Sequence, residues 1–195
     1  MKKCLSCILC LLLSVSLFAQ RDSVDIKSVT FYGVDFTECK IIGATESPEA
    51  FLEAFRGINN LLLLEPSKYD LSKYFDCQVI VSEANFEQVN NHNAESKPDM
   101  TFTNQEISRL TEAQLQEIIS GYQFGAQEGY GLIIIATELN KTKSKGYFYG
   151  CYFDLSTGKL IYAHELDGKP KGFGLRNFWA GSLLAFMKHW KDSSK

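Results

Sequence analysis

The chain has 195 residues, with 20 Lys and Arg against 23 Asp and Glu, a net charge of −3. Such a mildly acidic chain lacks the basic stripe that neutralises phosphates, which argues against nucleic-acid binding. Beyond the N-terminus no apolar run approaches the ~20 residues of a membrane-spanning helix, so an integral membrane protein is not expected.

The N-terminus has the three parts of a secretory signal. Lys2 and Lys3 precede an apolar stretch from Ile8 to Phe18, and Ala19 is a small residue suited to the position before a cut. Leu17 is larger than ideal at its position. A lipoprotein alternative is poorly served, because Cys10 follows Leu9 and Cys7 follows Ser6 with little apolar chain before it. The expectation is a signal over 1–19 and a single domain over 20–195, working in the periplasm or outside the cell. Removal of the leader leaves 176 residues, 18 of them basic and 23 acidic, a net charge of −5.

Cys39, Cys77 and Cys151 remain in the mature chain. An odd count permits at most one internal disulfide, and the spacing matches no zinc or redox motif. All three lie in apolar, strand-like settings, so they read as small buried hydrophobes with no metal and no required crosslink.

Residues 28–43 are rich in β-branched and aromatic residues and predict one long strand, or two broken near Gly33-Val34-Asp35. Ser47-Pro48-Glu49 is a helix start, with a capping serine, a proline at the first turn and an acid at the positive dipole end. Phe51, Phe55, Ile58 and Leu62 give that helix its buried face, and it should stop before Pro66. A short strand is expected over Gln78–Ser82, a short helix over Ala84–Asn91 and a polar loop over Asn90–Asp99. Thr111 and Gln114 form a capping box flanked by Leu110 and Leu115, and Gly121 is placed to close the helix in the left-handed conformation. Gly131–Thr137 reads as a strand covered on both faces. A hairpin follows, Gly146–Asp154 against Lys159–Leu166 across a turn closed by Gly158. The last helix spans about Leu175 to Trp190, with Leu175, Trp179, Ser182 or Leu183, Phe186 and Trp190 inward.

The order β-α-β-α-β-β-β-α predicts an α/β (α+β) fold, a mixed β-sheet with helices packed on it. The hairpin GYFYGCYFDLSTGKLIYAHEL, with Asp154, Thr157 and Gly158 at its turn, followed by an amphipathic helix, resembles the tail of periplasmic α/β domains of the TolB N-terminal and CsgG type. That resemblance implies the fold and an envelope setting. No propeller, lipid-anchored cysteine or membrane-inserting hairpin accompanies it, so no translocation or pore function is implied.

No catalytic motif is present. There is no G-x-S-x-G elbow, His164-Glu165 is not part of a zinc helix motif, and His189 suits a helix C-terminus. Asp35, Glu38, Glu138, Asp154 and Glu165 are carboxylates that a single sequence does not pair, and Asp154 reads as a turn former. Tyr147, Tyr149 and Phe153 on one strand face, and Phe148 and Tyr152 on the other, read mainly as core. The stretch from Gly168 to Arg176 is the candidate ligand site. Lys171, Gly172, Gly174 and Arg176 combine positive charge, close backbone approach and a helix N-terminus. Arg176 sits where the dipole disfavours a cation, so either Asp167 or Glu165 neutralises it or an anion does. The alternative is a flexible connection.

The reading is a non-catalytic exported module that binds another envelope protein, with a glycan or small anion as further partners and no cofactor. The alternatives are an envelope or glycan hydrolase and a carbohydrate- or small-ligand-binding module.

Overall fold

The computed structural model describes residues 26–102, 109–125 and 127–193; the leader expected over 1–19 lies outside them. β5 (Tyr130–Asn140) is the axis of a seven-stranded mixed sheet. One side of it pairs in parallel with β1 (Ser28–Asp35) along Gly131–Ile135 and with β2 (Lys40–Ile42) along Glu138–Asn140. β1 and β2 are thus one line of chain, interrupted by the Phe36–Cys39 turn. The break comes after Asp35 and not at Gly33-Val34-Asp35, through which β1 runs on with a register shift between Phe31 and Val34 and Gly33 at φ +99°. β3 (Gln78–Val81) lies outside β1, and β4 (Asp99–Thr101) lies outside β2, both parallel. On its other side β5 begins an antiparallel meander with β6 (Lys145–Asp154) and β7 (Leu160–Gly168).

α1 (Pro48–Leu64) starts as its sequence predicts. The Ser47 side chain accepts from the Ala50 N–H at 3.3 Å, and the helix ends before Pro66. Its buried Phe51, Phe55, Ile58 and Leu62 join α2 (Leu71–Phe75) and α5 (Leu175–Ser193) over one sheet face. α4 (Glu112–Ser120) covers the other face through Leu115 and Ile119, and the Thr111–Gln114 capping box forms. Each large apolar side chain so buried contributes about 1.5–3 kcal/mol. The observed order is β-β-α-α-β-α-β-α-β-β-β-α, an α/β fold with parallel crossovers first and the antiparallel hairpin last.

Three local expectations are corrected. Asn90–Asp99 is not a loop: α3 runs Glu83–Glu95, and β4 begins at Asp99. The segment is polar because its inward face uses asparagine, Asn93 being buried beside Phe86 and Val89. His92 therefore sits on a helix. Gly121 closes α4 in the right-handed conformation at φ −72°, its N–H donating to the Ile118 carbonyl at 3.1 Å and the Tyr122 N–H to the Ile119 carbonyl at 3.0 Å. α2 was not anticipated; it is a single turn capped by Asp70 and ended by Asp76 at φ +53°.

The edge of β1 between β3 and β4 has no neighbouring strand. Three asparagines occupy it. Asn85 Nδ2 donates to the Phe31 carbonyl at 3.3 Å, Asn59 exchanges two bonds with Val34, and Asn93 accepts from the Phe36 N–H at 2.7 Å while donating to the Val34 carbonyl at 3.0 Å. Buried backbone polar groups must be paired, and here α1 and α3 supply the partners.

Candidate functional site

β7 ends at Gly168, and the chain folds back over α5 before entering it. Gly168 lets the strand end press on α5, where Ser182 Oγ donates to its carbonyl at 2.6 Å. A Cβ at Gly181 would stand 2.7 Å from the Lys171 backbone nitrogen, so Lys171 lies against bare helix backbone. Lys171 N–H donates to the Phe178 carbonyl at 3.3 Å, and Phe178 N–H to the Gly174 carbonyl at 2.9 Å. Gly172 and Gly174 take φ +141° and +77°, which side-chain-bearing residues avoid. The connection is pinned by these contacts, unlike the flexible alternative.

Of the four expected residues, Lys171, Gly172 and Arg176 line one open cleft of about 560 Å³, and Gly174 lines a neighbouring one of about 200 Å³. Lys68, Lys169 and Lys188 also line the larger cleft, against a single carboxylate, Glu65. Glu65 is taken by Lys68 at 3.2 Å. Among the described residues Lys169, Lys171 and Lys188 have no ion-pair partner. Phe173, 95% exposed, stands at the rim shared by both clefts.

Neither acid expected to neutralise Arg176 does so. Glu165 pairs with Arg109 at 2.9 Å and Asp167 with Lys145 at 3.0 Å. Arg176 instead lays its stem on α1 at Gly57, where a Cβ would be 2.6 Å from its Cδ, and donates from Nε to Asn177 Oδ1 at 3.1 Å. Lys68 and Lys188 were missed by sequence reasoning. Lys188 was findable, since Asn177, Gly181, Leu184 and Lys188 repeat at helical spacing. Lys68 comes from the chain after α1 and carries no local signal.

A third cleft, of about 450 Å³, is lined by Asp35, Glu38, Glu117, His92 and Gln114 among others. Asp35 is fully buried, and both its oxygens are engaged by its own chain. Tyr122 OH donates to Oδ2 at 2.5 Å, while the Thr37 N–H and hydroxyl donate to Oδ1 at 2.7 and 2.5 Å. Burial and the Asp35 charge push the Tyr122 phenol far above its ordinary range. The His92 ring stacks on Tyr122 at 4.4 Å. Asp35 thereby ties the end of β1 to the chain after α4.

The remaining candidates have structural roles. Asp154 accepts from Ser156 and Thr157 at the hairpin turn. His189 Nδ1 meets the Asp167 carbonyl at 2.7 Å. His164 packs beside Tyr162 and Trp190, whereas Glu165, on the opposite face of β7, bonds Thr137; desolvation raises the Glu165 carboxyl despite Arg109. Tyr149 and Phe153 are buried in one core cluster, and Phe148 and Tyr152 in the other. Cys39 and Cys151 are buried and Cys77 half-buried, all as free thiols. Among the described residues no group of three or more His, Cys, Asp or Glu is placed to hold a metal ion, and no helix is long and apolar enough to cross a membrane.

No protein-family profile matches the chain, and no curated protein matches it in sequence. Among solved structures it is similar to lipoprotein GNA1162 from Neisseria meningitidis, at 14% identity over 79% of this chain and 88% of that one, TM-score 0.32. It is also similar to the LpoB C-terminal domain from Salmonella enterica, at 13% identity over 76% and 87% of the two chains, TM-score 0.25.

Proposed function

We propose that the mature chain is a non-catalytic exported module that binds an anionic partner in the cleft beside α5. One observation carries this reading. In a chain of net charge −3, five cations from separate segments converge on one cleft that contains one carboxylate. Holding like charges together costs free energy that an anionic occupant would relieve. Gly172 and Gly181 let the connection close on α5, against the Asn177 and Lys171 backbones, which holds Lys171 at the cleft.

Sulfate titration tests it. A ligand that binds the folded state raises the melting temperature by linkage. The rise should be present in the mature protein and absent from Lys171→Ala/Arg176→Ala. An equal rise in the double variant would remove the cleft from consideration.

A hydrolase acting on envelope or glycan material is the second reading. It is supported by Asp35, Glu38 and Glu117 sharing a cleft with His92. It needs free carboxylates, and Asp35 is fully engaged, which leaves Glu38 and Glu117. Glycan turnover that survives Glu38→Gln/Glu117→Gln would end this reading.

A further inference from the structure

Resting on the anionic-partner reading, we propose that the face carrying Phe173 and the surrounding lysines docks on an anionic phospholipid surface, with Phe173 entering the bilayer interface. A lone exposed apolar side chain is commonplace. Phe173 differs in how it is held and in what surrounds it. It lies between two glycines at positive φ, in a connection pinned to α5 through Lys171 and Phe178, so its outward position is built in. At 95% exposure its ring stands out at the rim of the two clefts and is left uncovered by the chain's own side chains. Lys169, Lys171 and Lys188 share the cleft at its base.

The kind of cation favours a diffuse surface over a fixed acidic peptide. Recognition of defined carboxylates uses the guanidinium fork, whereas lysines act as mobile point charges. The cleft has a single arginine, and its Nε already donates to Asn177. An apolar prong among unpaired lysines is the composition that interfacial binding rewards, through buried apolar area and attraction to anionic headgroups together.

The experiment uses the mature chain over 20–195 with Phe173→Trp as reporter. The two native tryptophans, Trp179 and Trp190, are only 1% and 5% exposed, so a change at the new indole can be separated from them. Vesicles containing phosphatidylglycerol should shift its emission to the blue, and brominated lipid should quench it. Vesicles of phosphatidylcholine alone should do neither, and high salt should reverse the shift. With wild-type Phe173, co-sedimentation should weaken about fivefold for each lysine neutralised at 169 and 171, and about tenfold or more for Phe173→Ser. An indole that stays in water on phosphatidylglycerol vesicles overturns the proposal, as does unchanged binding by Lys169→Gln/Lys171→Gln. A chain that ignores vesicles but binds polyglutamate through Lys171 has an acidic-peptide partner: the lipid proposal then fails and the anionic-partner reading stands. Binding to neither overturns the lipid proposal, and the anionic-partner reading is then decided by the sulfate titration.

Discussion

Asn59 on α1 makes with Val34 the two hydrogen bonds that a neighbouring strand would make. Val34 N–H donates to Asn59 Oδ1 at 2.8 Å, and Asn59 Nδ2 donates to the Val34 carbonyl at 3.0 Å. Asn59 Nδ2 also reaches Asn90 Oδ1 at 3.1 Å, which ties α1 to α3. The sheet thus keeps a buried strand edge without a strand beside it.

Replacing Asn59 with Leu keeps the approximate volume but leaves the Val34 N–H without a side-chain acceptor. The expected cost is about 2–4 kcal/mol, from an orphaned buried donor and a lost bond. Urea unfolding measures it. A change under about 0.5 kcal/mol, the size of an ordinary surface substitution, would show that water replaces the side chain.

Tyr122 predicts an alkaline limit to stability. Its phenol is raised above the ordinary 10.0 by burial and by Asp35, so the folded state keeps the proton after the unfolded chain has lost it. Its contribution is fully present below pH 10 and declines above it, by about 1.4 kcal/mol per pH unit. Tyr32, Tyr149 and Tyr152 are raised as well and add to the slope. Tyr122→Phe should lower stability at pH 7 by about 1–3 kcal/mol, through the lost bond to Asp35, and should flatten the fall above pH 10. Chemical denaturation from pH 7 to 11 tests both, and an unchanged slope would contradict the assignment.

Gly181 links the fold to the cleft. An alanine there would push its Cβ into the Lys171 backbone. Gly181→Ala should move the 169–174 connection and cost about 1–3 kcal/mol as an overpacked contact. The sulfate-induced rise in melting temperature should fall with it. Gly125→Ala is the comparison, since nothing lies within 4 Å of a Cβ there, although its φ of +65° adds strain. It should lower stability and leave the sulfate response intact.

Intact-mass measurement on protein from the producing cell tests the leader and the thiols together. The mature chain should begin at Gln20. Alkylation in denaturant without reduction should add three adducts, on Cys39, Cys77 and Cys151. In the folded protein Cys39 and Cys151 should resist alkylation, because burial pushes both thiols up and suppresses the reactive thiolate. One adduct in denaturant would reveal a disulfide.

Local physics made much of the fold legible. Ser47-Pro48 and the Thr111–Gln114 box start helices by satisfying their own first N–H groups. The Gly131–Thr137 run reads as a strand covered on both faces, and the Asp154–Gly158 turn sets the hairpin, all within a few residues of sequence. α3 runs on past Asn91, where its sequence turns loop-like, because its inward asparagines are the partners that Val34 and Phe36, nearly sixty positions away, need. The candidate site divides the same way. Gly172, Gly174 and Arg176 stand out because glycines beside a helix start and a cation at its positive end are local anomalies. The concentration of charge is not local: Lys68 follows α1 and Lys188 lies late in α5. In a chain of net negative charge only the packing of α1 against α5 brings them to the cleft with Lys169 and Lys171, because electrostatic potential depends on distance in space and not on distance along the chain.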